Sequence, residues 1–214
     1  MDCFPPRLID GYRTFTSQRL PTEQSRYREL SERGQSPEVM VIGCCDSRVS
    51  PEVIFDAGPG ELFVVRNVAN LVPVYQPDAG AHGVSAALEY AVQVLKVKHI
   101  VVLGHAQCGG IRAFIDNIEP LTPGDFIGRW MAMFIKPGEK VEQREHETMQ
   151  DFATRIEKAA VFRSLENLMT FPFVKAQVEQ GRLSLHGAYF GVAEGSLFVL
   201  DREAKEFRGV RESA

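Results

Sequence analysis

Two apolar runs, EVMVIGC at 38–44 and HIVVLGH at 99–105, constrain this chain more than any other feature. Each is short, rich in β-branched residues and apolar at consecutive positions, as a strand buried on both faces must be. Between them lie another strand pattern, ELFVVRNVAN at 61–70, and the stretch GVSAALEYAVQVLKV at 83–97. In the latter Val84, Leu88, Ala91 and Leu95 recur at helical spacing. Strands that alternate with helices in this way predict an α/β fold, with a central, mostly parallel β-sheet and flanking helices.

The flanking sequence fits that frame. TEQSRYRELSERG predicts a helix with Thr22 as N-cap, Glu23 in its first turn and Gly34 just past its end, while Pro5, Pro6 and Pro21 segment what precedes it. Residues 1–34 are therefore expected to form an N-terminal helical arm, and 35–214 one α/β domain. Beyond GGIRAFI, the segments at 124–135 and 151–171 have the pattern of amphipathic C-terminal helices. RLSLHGAYFGVAEGSLFVLD predicts a hairpin about Glu194–Gly195 that extends the sheet. With 214 residues and no internal repeat or linker, the chain fits a single domain with a helical appendage.

Composition removes some function classes. Lys and Arg number 24 against 28 Asp and Glu, so no basic field argues for nucleic acid or an anionic membrane. The start, MDCFPPRLIDGYRTF, has no charged-then-apolar signal architecture and no apolar run reaches ~18 residues, which points to a cytoplasmic protein. In that setting Cys3, Cys44, Cys45 and Cys108 suggest metal binding or catalysis rather than disulfides, with Cys3 incidental.

Both apolar strands end in chemistry. After the first comes CCDSR, after the second HAQC. Sites in open parallel sheets form outside the carboxyl ends of strands, so adjacent strands would bring a cysteine of the first motif to His105 and Cys108. Two thiolates and an imidazole are zinc ligands, and three protein ligands leave a fourth position open. Neighbouring side chains on a strand point oppositely, so one metal takes Cys44 or Cys45 but not both, and spacing alone leaves the choice open. Asp46 and Arg48, two apart, share a face if strand geometry continues. As an isolated pair they would be a surface ion pair; beside a metal the carboxylate can accept a proton from water, kept ionised and oriented by the guanidinium.

CCDSR followed by HAQC resembles the β-class carbonic anhydrases, whose zinc motifs are C-x-D-x-R and H-x-x-C. The resemblance runs from about Gln35 to the C-terminus and includes GELFVVRNVANLV and AALEYAVQVLKVKHIVVLGHAQCGG. It implies that Cys44, His105 and Cys108 bind one Zn²⁺ per chain, with Cys45 at the variable position. It further implies reversible hydration of carbon dioxide to bicarbonate and a proton by zinc-bound hydroxide, which Asp46 and Arg48 orient. By similarity to plant-type members, Gln35, Phe63, Val68, Tyr90 and the backbone N–H of Gly109 line the substrate pocket. That pocket straddles a subunit boundary in the family, so a homodimer or larger homo-oligomer is implied. Without the resemblance, Phe63, Val68 and Tyr90 would be core residues and Gln35 a polar loop residue. Family members in which the aspartate closes onto zinc carry a Trp three residues before the first ligand cysteine. Here that position is Val41, which implies an open site. Two other functions compete: hydrolysis of carbon disulfide or carbonyl sulfide on the same fold, and a non-catalytic zinc or thiol-redox module using Cys44 and Cys45.

Overall fold

The computed structural model describes residues 4–78, 80–116, 123–135 and 141–210. The apolar runs are strands β1 (Val39–Cys44), β2 (Leu62–Asn67) and β3 (His99–His105). The predicted hairpin is β4 (Ser184–Gly191) and β5 (Ser196–Asp201), and a short β6 (Glu206–Gly209) follows it. β6, only four residues and largely exposed, offers no apolar run for a sequence reading to find. Among the described residues the sheet has six strands in the order β2-β1-β3-β4-β5-β6. The first four are parallel, and β5 and β6 antiparallel.

Strand order reverses at β1. The chain leaves it for β2 on one side and returns to β3 on the other, which opens a crevice beyond the carboxyl ends of β1 and β3. Cys44 ends one of these strands and His105 the other.

The connecting helices are α3 (Pro51–Ile54), α4 (Gly83–Glu89, prolonged by a π-helical stretch to Leu95), α5 (Gly109–Ile115), α6 (Phe126–Ala132), α7 (Met149–Leu168) and α8 (Pro172–Glu179). α7 starts at Thr148, whose Oγ1 accepts the Asp151 N–H at 3.1 Å, an N-cap that satisfies one orphan donor. It packs along β3 and β4. Val161 and Leu168 press on Met40, Ile42, Ile100 and Val102, while Ile156 and Ala160 lie with Cys44 and Cys108 toward the strand ends. The opposite sheet face carries a thinner cluster around Val41, Leu103 and Ala188.

Two expectations are corrected. Thr22 is not an N-cap: helix α1 (Pro6–Thr14) runs through a π-helical turn at Phe15–Arg19 into α2 (Leu20–Arg33). Thr22 Oγ1 instead donates to Arg19 O at 2.7 Å. The wider turn accommodates the N–H that Pro21 lacks, so the proline does not break the helix. Gly34 does end it, at φ 78 with its N–H on Leu30 O. Second, β2 stops at Asn67 rather than running to Asn70. Its side chain accepts the Leu71 N–H and donates to Leu71 O, both at 2.9 Å, closing a turn in place of strand pairing. Cys3 lies outside the described residues.

Candidate metal centre

The two motifs meet. The ligand atoms of Cys44, His105 and Cys108 all lie within 4.8 Å of one another, and among the described residues no other His, Cys, Asp or Glu joins a group of this kind. All three residues are buried, at 5%, 1% and 2% exposure. Cys45 is exposed, so alternation at the end of β1 resolves the vicinal pair in favour of Cys44.

Each of the three residues is held by backbone groups near the strand ends. Cys108 occupies the N-cap position of α5, where the backbone N–H groups of Ile111 and Gly110 favour its thiolate. The backbone N–H groups of Asp46 and Ala69 favour the thiolate of Cys44 in the same way. Ala69 reaches it from a left-handed conformation, φ 63, in the turn after β2. His105 Nδ1 faces Ala106 O at 2.9 Å, which leaves Nε2 available as a donor to a metal. That Nε2 is buried and has no hydrogen-bond partner among the described residues.

This arrangement fits a cation. The two sulfurs stand 4.0 Å apart. Two sulfurs ~2.3 Å from one tetrahedral zinc would be ~3.8 Å apart. Unaided, the buried pair is in conflict: the bond from Cys108 holds Cys44 below the ordinary thiol range, and the same bond, with burial, drives Cys108 above it. A divalent ion would let both thiols ionise and would engage the orphaned imidazole nitrogen.

Asp46 and Arg48 are paired at the rim, though not by strand alternation. β1 ends at Cys44, and the pair is made by a turn in which the Arg48 N–H donates to Asp46 Oδ1 at 3.0 Å. Arg48 Nε and Nη2 then grip the two carboxylate oxygens at 2.9 and 2.7 Å. Held this way, Asp46 lies well below the usual carboxylate range. Arg48 Nη2 also donates to Gln107 O at 3.0 Å and so ties the first motif to the second.

The residues expected to line a substrate pocket divide. Gly109 opens α5 beside Cys108, with clear space where a side chain would stand. Val68 packs near the centre: its Cγ1 would be 2.6 Å from a β-carbon on Gly110, and its carbonyl accepts Trp130 Nε1–H at 2.7 Å. Gln35, Phe63 and Tyr90 are elsewhere. Phe63 pairs in register with Met40, four residues before Cys44, which is ~13 Å along a strand. Its ring stacks on Tyr90 at 5.9 Å, and Gln35 precedes β1 in an exposed loop. One chain therefore does not bring these three to the metal ligands. Of the histidines outside the cluster, His99 contacts His186 at 3.2 Å and His82 contacts Asp78 at 2.6 Å.

Three more residues support the centre, of which Glu157 and Tyr189 lie outside every motif the sequence singles out. Arg66 of β2 donates to Cys44 O at 2.8 Å and Asp46 O at 2.6 Å. Glu157 of α7 accepts the Cys108 N–H at 3.0 Å and the Tyr189 O–H at 2.6 Å. The signal for Glu157 was a carboxylate within an otherwise apolar i, i+4 row, Ala153–Glu157–Val161.

Residues 39–197 match the family model described as carbonic anhydrase. The chain is 35% identical over 203 residues to beta carbonic anhydrase 3 of Arabidopsis thaliana, across 93% of this chain and 78% of that protein. The solved β-carbonic anhydrase CcaA resembles it at TM-score 0.86 and 28% identity, with 97% of this chain and 92% of that one covered. One of two tetrameric β-carbonic anhydrases from the ascomycete Sordaria macrospora gives TM-score 0.78 at 26% identity, covering 96% and 98%.

Proposed function

The chain belongs to the β-class carbonic anhydrases, zinc enzymes that hydrate carbon dioxide reversibly to bicarbonate and a proton, and we propose that Cys44, His105 and Cys108 hold its zinc, one ion per chain. The observation that carries the assignment is the buried convergence of two sulfurs and an unpartnered imidazole nitrogen from two strand ends. When bound, zinc supplies a Lewis acid that makes water a nucleophile near neutral pH.

The protein's own groups do the rest. Asp46, kept ionised by Arg48, accepts a hydrogen bond from the attacking water and orients its lone pair toward the substrate carbon. The same acceptor disfavours any molecule that lacks a proton to give. The Gly109 N–H donates to a substrate oxygen as negative charge develops there. Val68 supplies an apolar wall for a weakly polar substrate.

Gln35, Phe63 and Tyr90 complete the pocket from a second copy, in a homodimer or larger homo-oligomer. Two observations support this reading: Tyr90 is 45% and Val94 58% exposed on the helix beside the edge strand β2, and the S. macrospora relative is tetrameric. We read 1–34 as an arm and 35–214 as one catalytic domain, located in the cytoplasm. No helix among the described residues is long and apolar enough to cross a membrane.

The site is of the open, plant-type form. Support comes from the Arabidopsis relative, from Val41 packed at 1% exposure where a pocket-forming Trp would stand, and from the engagement of Asp46 by Arg48. The relatives named above are carbonic anhydrases, which disfavours carbon disulfide or carbonyl sulfide hydrolysis and a thiol-redox module. Stopped-flow carbon dioxide hydration with zinc quantified in the same sample tests the function. Zinc-replete protein without turnover would sink it.

A further inference from the structure

The turn that presents Cys108 is held largely by groups outside it. The Ala106 N–H donates to Phe190 O at 2.9 Å, Ala106 O faces His105 Nδ1 at 2.9 Å, and Gln107 O accepts from Arg48 at 3.0 Å. Gln107 adopts φ 56, a left-handed conformation unusual for its type, so the turn needs such support. The Cys108 N–H goes to Glu157, a carboxylate 3% exposed on the apolar face of α7. Its second oxygen accepts from Tyr189, itself 5% exposed. Buried carboxylates are scarce unless partnered, and among the described residues this one is partnered by the turn that carries Cys108 and by the strand beneath it.

We propose that Glu157, braced by Tyr189, is a positioning residue for the metal centre: it sets the Cys108 sulfur and, one residue on, the Gly109 N–H. This rests on the zinc assignment made above. A carboxylate accepting from a ligand's own backbone orients that ligand as outer partners orient metal-bound imidazoles, and it places negative charge beside a cation-binding cluster. Glu157 touches neither the substrate nor the ligand atoms, and it acts only through the turn. Tyr189 fixes which way the carboxylate faces, so α7 and β4 both report to Cys108.

The test measures zinc release from the holoenzyme to a chromophoric chelator, together with the thiolate-to-metal absorption of the cobalt-substituted protein. Glu157→Ala should release zinc about 10- to 100-fold faster, the usual effect of losing an outer partner, and should shift the cobalt bands. Glu157→Gln keeps an oxygen for the Cys108 N–H but loses the charge assistance, so release should quicken only about threefold and the bands should largely recover. Tyr189→Phe should fall between the wild type and Glu157→Ala. A residue that merely filled the core would alter the melting temperature and leave the cobalt spectrum alone. Wild-type release rates and bands in folded Glu157→Ala overturn the proposal; should that variant not fold, wild-type values in both Glu157→Gln and Tyr189→Phe do so. Failure of the wild-type chain to hold zinc at all would instead overturn the zinc assignment.

Discussion

The two halves of the metal centre look alike in sequence and are built differently. Each is an apolar strand, a glycine and a ligand: Ile42-Gly43-Cys44 in β1 and Leu103-Gly104-His105 in β3. The first half is largely self-supporting, since Asp46 and Arg48 close their own turn, with help from Arg66 on the adjacent strand. The second depends on residues far along the chain, Glu157 from α7 and Phe190 from β4. The glycines show the difference most directly. A β-carbon on Gly43 would meet Pro51 Cγ at 3.5 Å, ordinary contact. One on Gly104 would lie 2.6 Å from Val161 Cγ2, where α7 presses on β3. An identical local pattern thus yields one loosely covered strand end and one clamped under a helix.

The largest expected effect tests whether the halves act as one site. Cys44→Ala, His105→Ala and Cys108→Ala should each abolish tight zinc binding and reduce turnover to background, because three ligands is already the catalytic minimum. Cys45→Ser should keep both. Metal analysis beside the hydration assay decides, and loss of zinc from the Cys45 variant but not from Cys44→Ala would reverse the assignment.

Next comes the self-supporting half alone. Asp46→Asn should retain its zinc while losing turnover on the order of 10²–10³-fold, since an oriented acceptor is replaced by a group that can present N–H. Arg48→Ala should act in the same direction and also free Gln107 O, which links the two halves. Near-normal turnover in a zinc-replete Asp46→Asn protein would remove this pair from the mechanism.

A pair of glycine variants sharpens the comparison itself. Gly104→Ala should cost about 1–3 kcal/mol by overpacking against a stiff, fully buried valine. Gly43→Ala should stay within about 1 kcal/mol, as small changes with room to fit do. Urea midpoints measure both, and equal losses at the two positions would erase the asymmetry.

The smallest effect concerns the start of α7. Glu147 accepts two bonds from Arg155, at 2.7 and 2.8 Å, and these, with the Arg144 N–H, lower its carboxyl to about 2. A carboxyl depressed on folding stabilises fully above its unfolded value, ~4.3, and that contribution fades as pH falls toward 2. Arg155→Met should therefore melt a little below wild type at pH 7, and the gap should close by pH 2–3. A gap unchanged across that range would mean that packing against Phe152, not the ion pair, is what Arg155 contributes.

The sequence by itself determined that the long apolar runs are strands of a mostly parallel sheet, and that the residues at their ends are of metal-ligand type. Unbroken apolar runs require burial on both faces, and two thiols with an imidazole at their ends have few uses other than a metal. It also carried the Asp46–Arg48 pairing, because that contact closes within three residues. Thr22 was misread because a cap signal within a longer helix is indistinguishable locally from one at its start, and only the π-helical turn before Pro21 decides. Whether Gln35, Phe63 and Tyr90 stand near the ligands is likewise decided by geometry, since Phe63 lies at the far end of β2 from Asn67, the register partner of Cys44. Glu157 and Arg66 acquire their roles only when α7 and β2 are placed against the strand ends. A carboxylate in an apolar helix row shows that it needs partners, but which donors it meets is set by packing between elements distant in the chain.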